Sequence, residues 1–102
     1  MNDFERQVLK LVAGIPLGQV ATYGQLAKIL GYPNYARQVG RILSQSSSHG
    51  SFPCHRVVNS SGRLAPHWEE QKELLWAEGV EVKANGCVDL KRYRWKSSEG
   101  NF

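Results

Sequence analysis

The 102-residue sequence predicts a mainly α fold with short β elements, winged helix-turn-helix-like in its arrangement. Two observations predict this class. Apolar residues recur at helical spacing in several segments that end at glycine or proline, whereas the extended pieces between them are only a few residues long. Two of the helices are also short and meet at a glycine turn. The length suits one domain, and we expect residues 1–102 to form it.

The first helix is predicted over Asp3 to Ala13. Asn2 and Glu5 have the spacing of a capping box at its start. The apolar residues that follow recur every three or four positions, and Gly14 ends the pattern. These apolar residues are Phe4, Val8, Leu11 and Val12.

The second helix follows a short extended piece around Val20. Thr22 and Gln25 make another capping-box pattern, which predicts a helix from Tyr23 to Leu30. Gly31 is a natural C-terminal stop for it.

Asn34 is predicted to cap a third helix that continues to about Ser44. Arg37 and Arg41 lie four residues apart and therefore share a face of this helix. Gly40 lies in its middle, where glycine is unfavourable, and this predicts close packing against another backbone. Together with the second helix it forms the predicted helix-turn-helix.

The remaining elements are an extended segment, a helix and a tail strand. The extended segment is predicted over Phe52 to Val58. The helix is predicted over Trp68 to Glu78, with Leu74 and Leu75 facing the core and Gly79 as its stop. Alternating apolar residues then predict a strand packed on the domain: Val88, Leu90, Tyr93 and Trp95.

Charge is distributed unevenly along the chain. Seven basic residues and no acidic one lie from Arg6 through Trp68, while the rest of the chain carries six basic and nine acidic residues. An acid-free surface of this length favours a polyanionic partner, although a basic surface kept for solubility is the alternative. Because the predicted helix-turn-helix lies inside this window, double-stranded DNA is the expected partner.

Other protein classes are disfavoured by composition. No apolar run approaches the ~20 residues of a membrane span, and the N-terminus is too polar for a signal peptide. Two cysteines without a C-x-x-C pair indicate neither a disulfide framework nor a zinc module. We therefore expect a cytoplasmic monomer without a metal site.

Cys54 lies in the segment Pro53-Cys54-His55-Arg56-Val57-Val58. A thiol is nucleophilic as the thiolate, which neighbouring basic groups favour. Side chains alternate between faces on an extended segment, so adjacency alone does not bring His55 to Cys54, and a lone buried cysteine is usually structural. The Pro-Cys-His-Arg tetrapeptide favours a reactive thiol, and we expect Arg56 to hydrogen-bond backbone nearby.

This segment resembles the active-site signature of the O6-alkylguanine-DNA alkyltransferases. Three other segments are similar to motifs of that family and occur in the family's order, so the resemblance extends from Phe4 to Gly79. They are Ile15 to Ala27, Ala36 to Gly40 and Leu74 to Gly79.

The resemblance implies a reaction and a role for each matched residue. Cys54 accepts the alkyl group from O6 of guanine, His55 acts through a water as the base, and Glu78 orients the imidazole. Tyr23 presses on the target phosphate and supplies a proton to the departing guanine. Arg37 fills the stack after the base has flipped. No cofactor is needed, and each molecule reacts once.

The resemblance also implies a binding surface and a pocket. The recognition helix is expected in the minor groove, with contacts from Thr22, Tyr23, Arg37, Gln38 and Arg41. Pro53 and Cys54 are expected in the substrate pocket. Trp68 or His67 is a further candidate for its lining, although a tryptophan at a helix start is more often part of the core.

Departures from the family leave a second function open. Leu64 to Glu69 replaces the family's Tyr-Ser-Gly-Gly-like stretch, and the tail from Val88 to Trp95 resembles the alkyltransferase-like proteins. Those proteins bind alkylated guanine without repairing it and hand the lesion to nucleotide excision repair, normally with Trp or Ala at the position of Cys54. The hypotheses are thus single-use alkyl transfer, a non-enzymatic lesion sensor with repair partners, and, far behind, an ordinary helix-turn-helix regulator.

Overall fold

A computed structural model describes residues 3–45, 52–66 and 68–96. The class predicted from sequence, mainly α with short β elements, is confirmed. A 3-10 turn formed by Cys54–Arg56 precedes the second strand, and none of the helices in these ranges is long and apolar enough to cross a membrane. The elements are α1 (Asp3–Ala13), β1 (Ala21–Thr22), α2 (Tyr23–Ile29), α3 (Ala36–Gln45), β2 (Val57–Val58), α4 (Glu70–Ala77) and α5 (Leu90–Tyr93).

The helix-turn-helix consists of α2 and α3. The predicted capping box is present, because the Gln25 amide donates to Thr22 Oγ1 at 3.0 Å while Gln25 Oε1 accepts from the Thr22 amide at 3.4 Å. Gly31 has a φ of +89°, which glycine adopts without strain, and it turns the chain after α2. The Val39 amide donates to the Tyr35 carbonyl at 3.0 Å, so α3 begins after Tyr35 and not directly after Asn34 as predicted.

Two further predictions concern Gly40 in α3 and the cap of α1. Gly40 faces a side chain and not a backbone, since a Cβ at this position would lie 3.8 Å from the ring of Tyr23. The first helix matches its predicted range, but Asn2, its predicted cap, lies outside the described residues.

The parallel pair of strands lies between two clusters of buried side chains. Ala21 is opposite Val57, and both belong to the cluster formed with α1, α2 and α3. Val58 points into the second cluster, which includes Leu75 and Tyr93. Burial of each large aliphatic side chain stabilises the fold by about 1.5–3 kcal/mol. Because Val57 and Val58 belong to different clusters, β2 is held from both sides. The 3-10 turn that carries Cys54 is thereby attached to the most buried part of the molecule.

Leu74 was expected in the core, but it is 39% exposed. The core-facing stripe of α4 is formed by Gln71 and Leu75, which are four residues apart and both 0% exposed. The helix is also shorter than predicted, because it begins at Glu70 and not at Trp68. Gly79 follows its end with a φ of +86°, as its predicted role as a stop requires.

The predicted tail strand is also wrong. Asp89 accepts a hydrogen bond from the Lys91 amide at 3.1 Å and caps the single turn of α5. Strand-like contacts lie on both sides of this turn: Val88 forms an isolated antiparallel bridge with Val82 before it, and the Trp95 amide donates to the Val20 carbonyl at 2.6 Å after it. Tyr93 is buried and Trp95 is half-buried, as their predicted packing role requires.

Candidate active site

The Cys54–Arg56 segment is a tight turn and not the extended piece expected from the sequence. The Cys54 carbonyl accepts from the Val57 amide, and the Pro53 carbonyl accepts from the Arg56 amide at 3.0 Å. Side chains on a 3-10 turn do not alternate between opposite faces as they do on a strand. His55 and Arg56 therefore both reach one acceptor, which an extended backbone would have prevented.

That acceptor is Glu78, at the end of α4. Its Oε2 lies 2.8 Å from His55 Nε2 and accepts from Arg56 Nη2 at 2.8 Å, while its Oε1 accepts from Arg56 Nε at 2.9 Å. The three side chains are only 13–15% exposed. A bidentate arginine fixes a carboxylate in orientation as well as in charge, so His55 is held by a carboxylate that is itself immobilised.

Glu78 is held in its ionised form. Burial alone would raise its pKa, but the hydrogen bonds and positive charge of Arg56 and the contact with His55 outweigh burial and lower the pKa below the ordinary carboxyl value. His55 thus lies 2.8 Å from a carboxylate that stays ionised, an arrangement in which an imidazole can accept a proton from a neighbouring thiol.

Arg56 also binds the chain near the end of α1. Its Nη1 donates to the Ile15 carbonyl at 2.7 Å, which confirms the prediction that this guanidinium bonds backbone. One side chain thus connects the loop after α1, the Cys54 turn and the end of α4. Its bidentate contact with Glu78 was not predicted from the sequence, because residues 22 positions apart give no local signal.

A cavity of about 520 Å³ opens between the start of α2 and the segment that follows β2. One wall is the apolar run Leu64, Ala65 and Pro66, and Tyr23 lines it from α2; Asn59, Arg63 and Gly86 also line it. Burial, and secondarily the charge of nearby Cys54 when ionised, raise the pKa of Tyr23. The Tyr23 hydroxyl therefore remains protonated at neutral pH and can donate a hydrogen bond into the cavity.

The described residues that were expected to form the substrate pocket do not themselves line this cavity. Pro53, Cys54 and Trp68 are half-buried, and the residues lining the cavity do not include them. Cys54 and Tyr23 pack against the same core cluster, and Tyr23 lines the cavity. His67 lies outside the described residues.

Arg37, Gln38 and Arg41 are exposed on α3, whose opposite face buries Val39 and Leu43. Within the described ranges no carboxylate forms an ion pair with Arg37 or Arg41. Thr22, also expected to contact DNA, is only 3% exposed, and its hydroxyl caps α2. It therefore offers a duplex little surface of its own.

Gln71 is a polar residue of the site that was not predicted from the sequence. Its side chain is fully buried on α4 and bonds the backbone of the Cys54 turn. A signal existed, because Gln71 lies four residues before Leu75 and thus on the same face of the helix as a core residue. A polar amide at such a position must find buried partners.

These features define a helix-turn-helix domain with an exposed basic helix and a thiol next to a histidine–carboxylate pair. The family model described as "6-O-methylguanine DNA methyltransferase, DNA binding domain" matches residues 3–80, and the chain belongs to this family of DNA-binding domains.

Individual relatives agree with this assignment. The chain is 44% identical over 97 residues to the "DNA base-flipping protein" of Escherichia coli, which covers 92% of this chain and 75% of the relative. It is 36% identical to "Alkyltransferase-like protein 1" of Schizosaccharomyces pombe, over 94% of this chain and 97% of that one. The solved structure of S. pombe Atl1 in complex with damaged DNA containing O6-carboxymethylguanine matches with a TM-score of 0.84 and 37% identity, covering 95% of this chain and 98% of that chain.

Proposed function

We propose that this protein binds double-stranded DNA containing O6-alkylguanine, rotates the damaged nucleotide out of the helix and transfers the alkyl group to Cys54. One observation carries the proposal. The imidazole that follows Cys54 lies 2.8 Å from a carboxylate, and that carboxylate is fixed by Arg56. A base oriented by a carboxylate beside a thiol is the arrangement that nucleophilic cysteine chemistry requires.

The chemistry balances without a cofactor. The Cys54 thiol gives its proton to His55 through a water, and Glu78 stabilises the resulting imidazolium. The sulfur then forms a bond to the alkyl carbon as the bond from that carbon to O6 breaks, and the electron pair stays on guanine. Tyr23 donates a hydrogen bond to the departing base and supplies its proton, and the phenolate left behind regains a proton as the His55 imidazolium releases one, so that in the net reaction the thiol proton ends on guanine. The product is a thioether, so each molecule reacts once.

Access to O6 requires that the base leave the duplex. Flipping costs a few kcal/mol, which contacts in the protein must offset. Arg37 enters the stack at the vacated position, while Arg41 and Gln38 contact the DNA backbone from the same helix. The segment from Arg6 to Trp68 contains no acidic residue, so its exposed basic side chains can approach the DNA phosphates without a repelling carboxylate from the same segment.

The second candidate is a lesion sensor that flips O6-alkylguanine without repairing it and recruits nucleotide excision repair proteins. The relatives favour it, because proteins named for base flipping and for alkyltransferase likeness match more than nine-tenths of this chain. Both candidates share the same DNA-binding surface and cavity. They differ only in what Cys54 does once the base has entered.

The decisive experiment is incubation of the protein with a duplex containing O6-methylguanine, followed by mass spectrometry of its peptides. We expect one added methyl group on the peptide that contains Cys54 and none in a Cys54→Ser variant. Cys87→Ser is the matched control, since it removes the other, buried cysteine and should leave transfer intact. Tight, lesion-selective binding with an unmodified peptide would establish the sensor instead. An unmodified peptide together with equal affinity for damaged and undamaged duplex would reject both candidates in favour of a regulator.

A further inference from the structure

Gln71 lies behind both the candidate nucleophile and the cavity wall. Its side chain is 0% exposed, and each of its polar atoms has a partner. Nε2 donates to the carbonyls of His55 and Val57, both at 3.0 Å. Oε1 accepts from the Ala65 amide at 2.7 Å.

These bonds join two parts of the site that are not otherwise adjacent along the chain. His55 belongs to the turn that carries Cys54, and Ala65 belongs to the apolar wall of the cavity. The side-chain amide is planar and rigid, so its oxygen and nitrogen keep a fixed separation. The distance between wall and turn is consequently set by one amide group, and α4 supplies the support on which that group is mounted.

We infer that Gln71 is a positioning residue that determines which O6 substituents the cavity accepts, by holding the Ala65 wall at a fixed distance from the Cys54 turn. This inference rests on the proposed recognition of O6-alkylguanine. With the wall held in place, a small alkyl group fits between wall and sulfur, and a bulky one must displace the wall. Release of the wall removes that restriction and favours bulky substituents.

The experiment compares affinities for two duplexes, one with O6-methylguanine and one with O6-benzylguanine. Cys54→Ser is present in every protein tested, so that binding is measured without transfer. In Gln71→Met the side-chain volume is nearly kept while all three hydrogen bonds are lost. We expect the ratio of benzyl to methyl affinity to rise roughly tenfold, on the order of one fixed hydrogen bond.

The matched control is Val80→Ala, which weakens the second core cluster and leaves the three hydrogen bonds of Gln71 in place. A purely structural role for Gln71 predicts that both substitutions lower stability and leave the affinity ratio within about twofold of the parent. An unchanged ratio in folded Gln71→Met would therefore overturn the inference. Absence of lesion preference in the parent protein would instead overturn the proposed function.

A measurement on the unsubstituted protein covers the case in which Gln71→Met fails to fold. Hydrogen exchange of the Ala65 amide should be slower than in an unstructured peptide by about tenfold or more, because this amide donates to the buried Gln71 Oε1. An Ala65 amide that exchanges as fast as an unstructured peptide would show that the wall is not held, and would contradict the inference directly.

Discussion

The Cys54 turn and the outer face of α3 hold their charged side chains in opposite ways. Around the turn, His55, Arg56 and Glu78 are largely buried and bonded to one another at 2.8–2.9 Å. On α3, Arg37 and Arg41 are exposed and form no ion pair with a carboxylate of the described residues. Chemistry at a reacting atom needs fixed geometry, whereas contact with a phosphate backbone tolerates mobile cations. Substitutions at the turn should therefore lower the stability of the fold, whereas substitutions on α3 should lower the affinity for DNA.

The largest expected effect on stability follows removal of the guanidinium at the turn. Arg56→Ala leaves the Glu78 carboxylate poorly compensated and the Ile15 carbonyl without its donor, so the free energy of unfolding should fall by about 3 kcal/mol. Urea denaturation measures the change. The control is Arg41→Ala on α3, for which about 0.5 kcal/mol or less is expected. Equal losses in the two variants would contradict the contrast between the regions.

The next largest effect is a loss of DNA affinity, and it is expected from a substitution on α3. Arg37→Ala should weaken binding to a duplex with O6-methylguanine about tenfold, since the flipped nucleotide then has no substitute in the stack. Fluorescence anisotropy gives the affinity, and a fluorescent base opposite the lesion reports flipping. Lys72→Ala, which removes an exposed cation from α4, is the control and should leave affinity unchanged. Unaltered affinity and flipping in Arg37→Ala would remove this residue from the proposed role.

Acid should destabilise the turn through Glu78. Because the pKa of Glu78 is lowered in the folded state, its contribution is complete above the ordinary carboxyl pKa of about 4.3 and is lost as pH falls through the lowered value. Stability measured between roughly pH 5 and pH 3 should fall less steeply in Glu78→Gln than in the parent, by about 1 kcal/mol over the interval. Glu73→Gln, an exposed carboxylate on the same helix, is the matched control. Parallel curves for the parent and Glu78→Gln would refute the assignment.

The smallest effect is a gain of stability on α3. A Cβ at Gly40 would lie 3.8 Å from the Tyr23 ring, an ordinary contact, and alanine favours a helix interior over glycine. Gly40→Ala should raise the free energy of unfolding by about 0.5 kcal/mol. The contrasting substitution is Gly62→Ala, where the Cβ would come far too close to the Val88 carbonyl and the φ is +85°. A loss of stability in Gly40→Ala would mean that Tyr23 leaves no room for the added methyl group.

Local signals were sufficient for most of the helices. The Thr22–Gln25 capping box and the glycines after α2 and α4 act within a few residues, so their consequences are visible in sequence. Because these signals act only over a few residues, they also led to two wrong predictions, one for Leu74 and one for the tail. Leu74 satisfies helical spacing as well as Leu75 does, and only the direction of the core decides between them. The tail alternates in the manner of a strand, but the cap supplied by Asp89 turns it into one helical turn.

The candidate site could be anticipated only through resemblance. The signature around Cys54 gave the residue types, and the structure adds the 3-10 turn that brings His55 and Arg56 to Glu78. The contact of Arg56 with Glu78 joins residues that are 22 positions apart in the sequence. The contact of Gln71 with Ala65 depends on how a loop folds over a helix. Spacing rules do not describe such contacts, because these arise from tertiary packing.

The bond from Arg56 to the Ile15 carbonyl gives the last residue of the Pro-Cys-His-Arg tetrapeptide an architectural role. A protein that exchanged Cys54 but retained the two residues after it would keep its shape and its grip on nucleic acid while losing the capacity to accept an alkyl group. Retention of the arginine in a sequence thus indicates a retained scaffold, whereas reactivity has to be judged from the sulfur and the imidazole together.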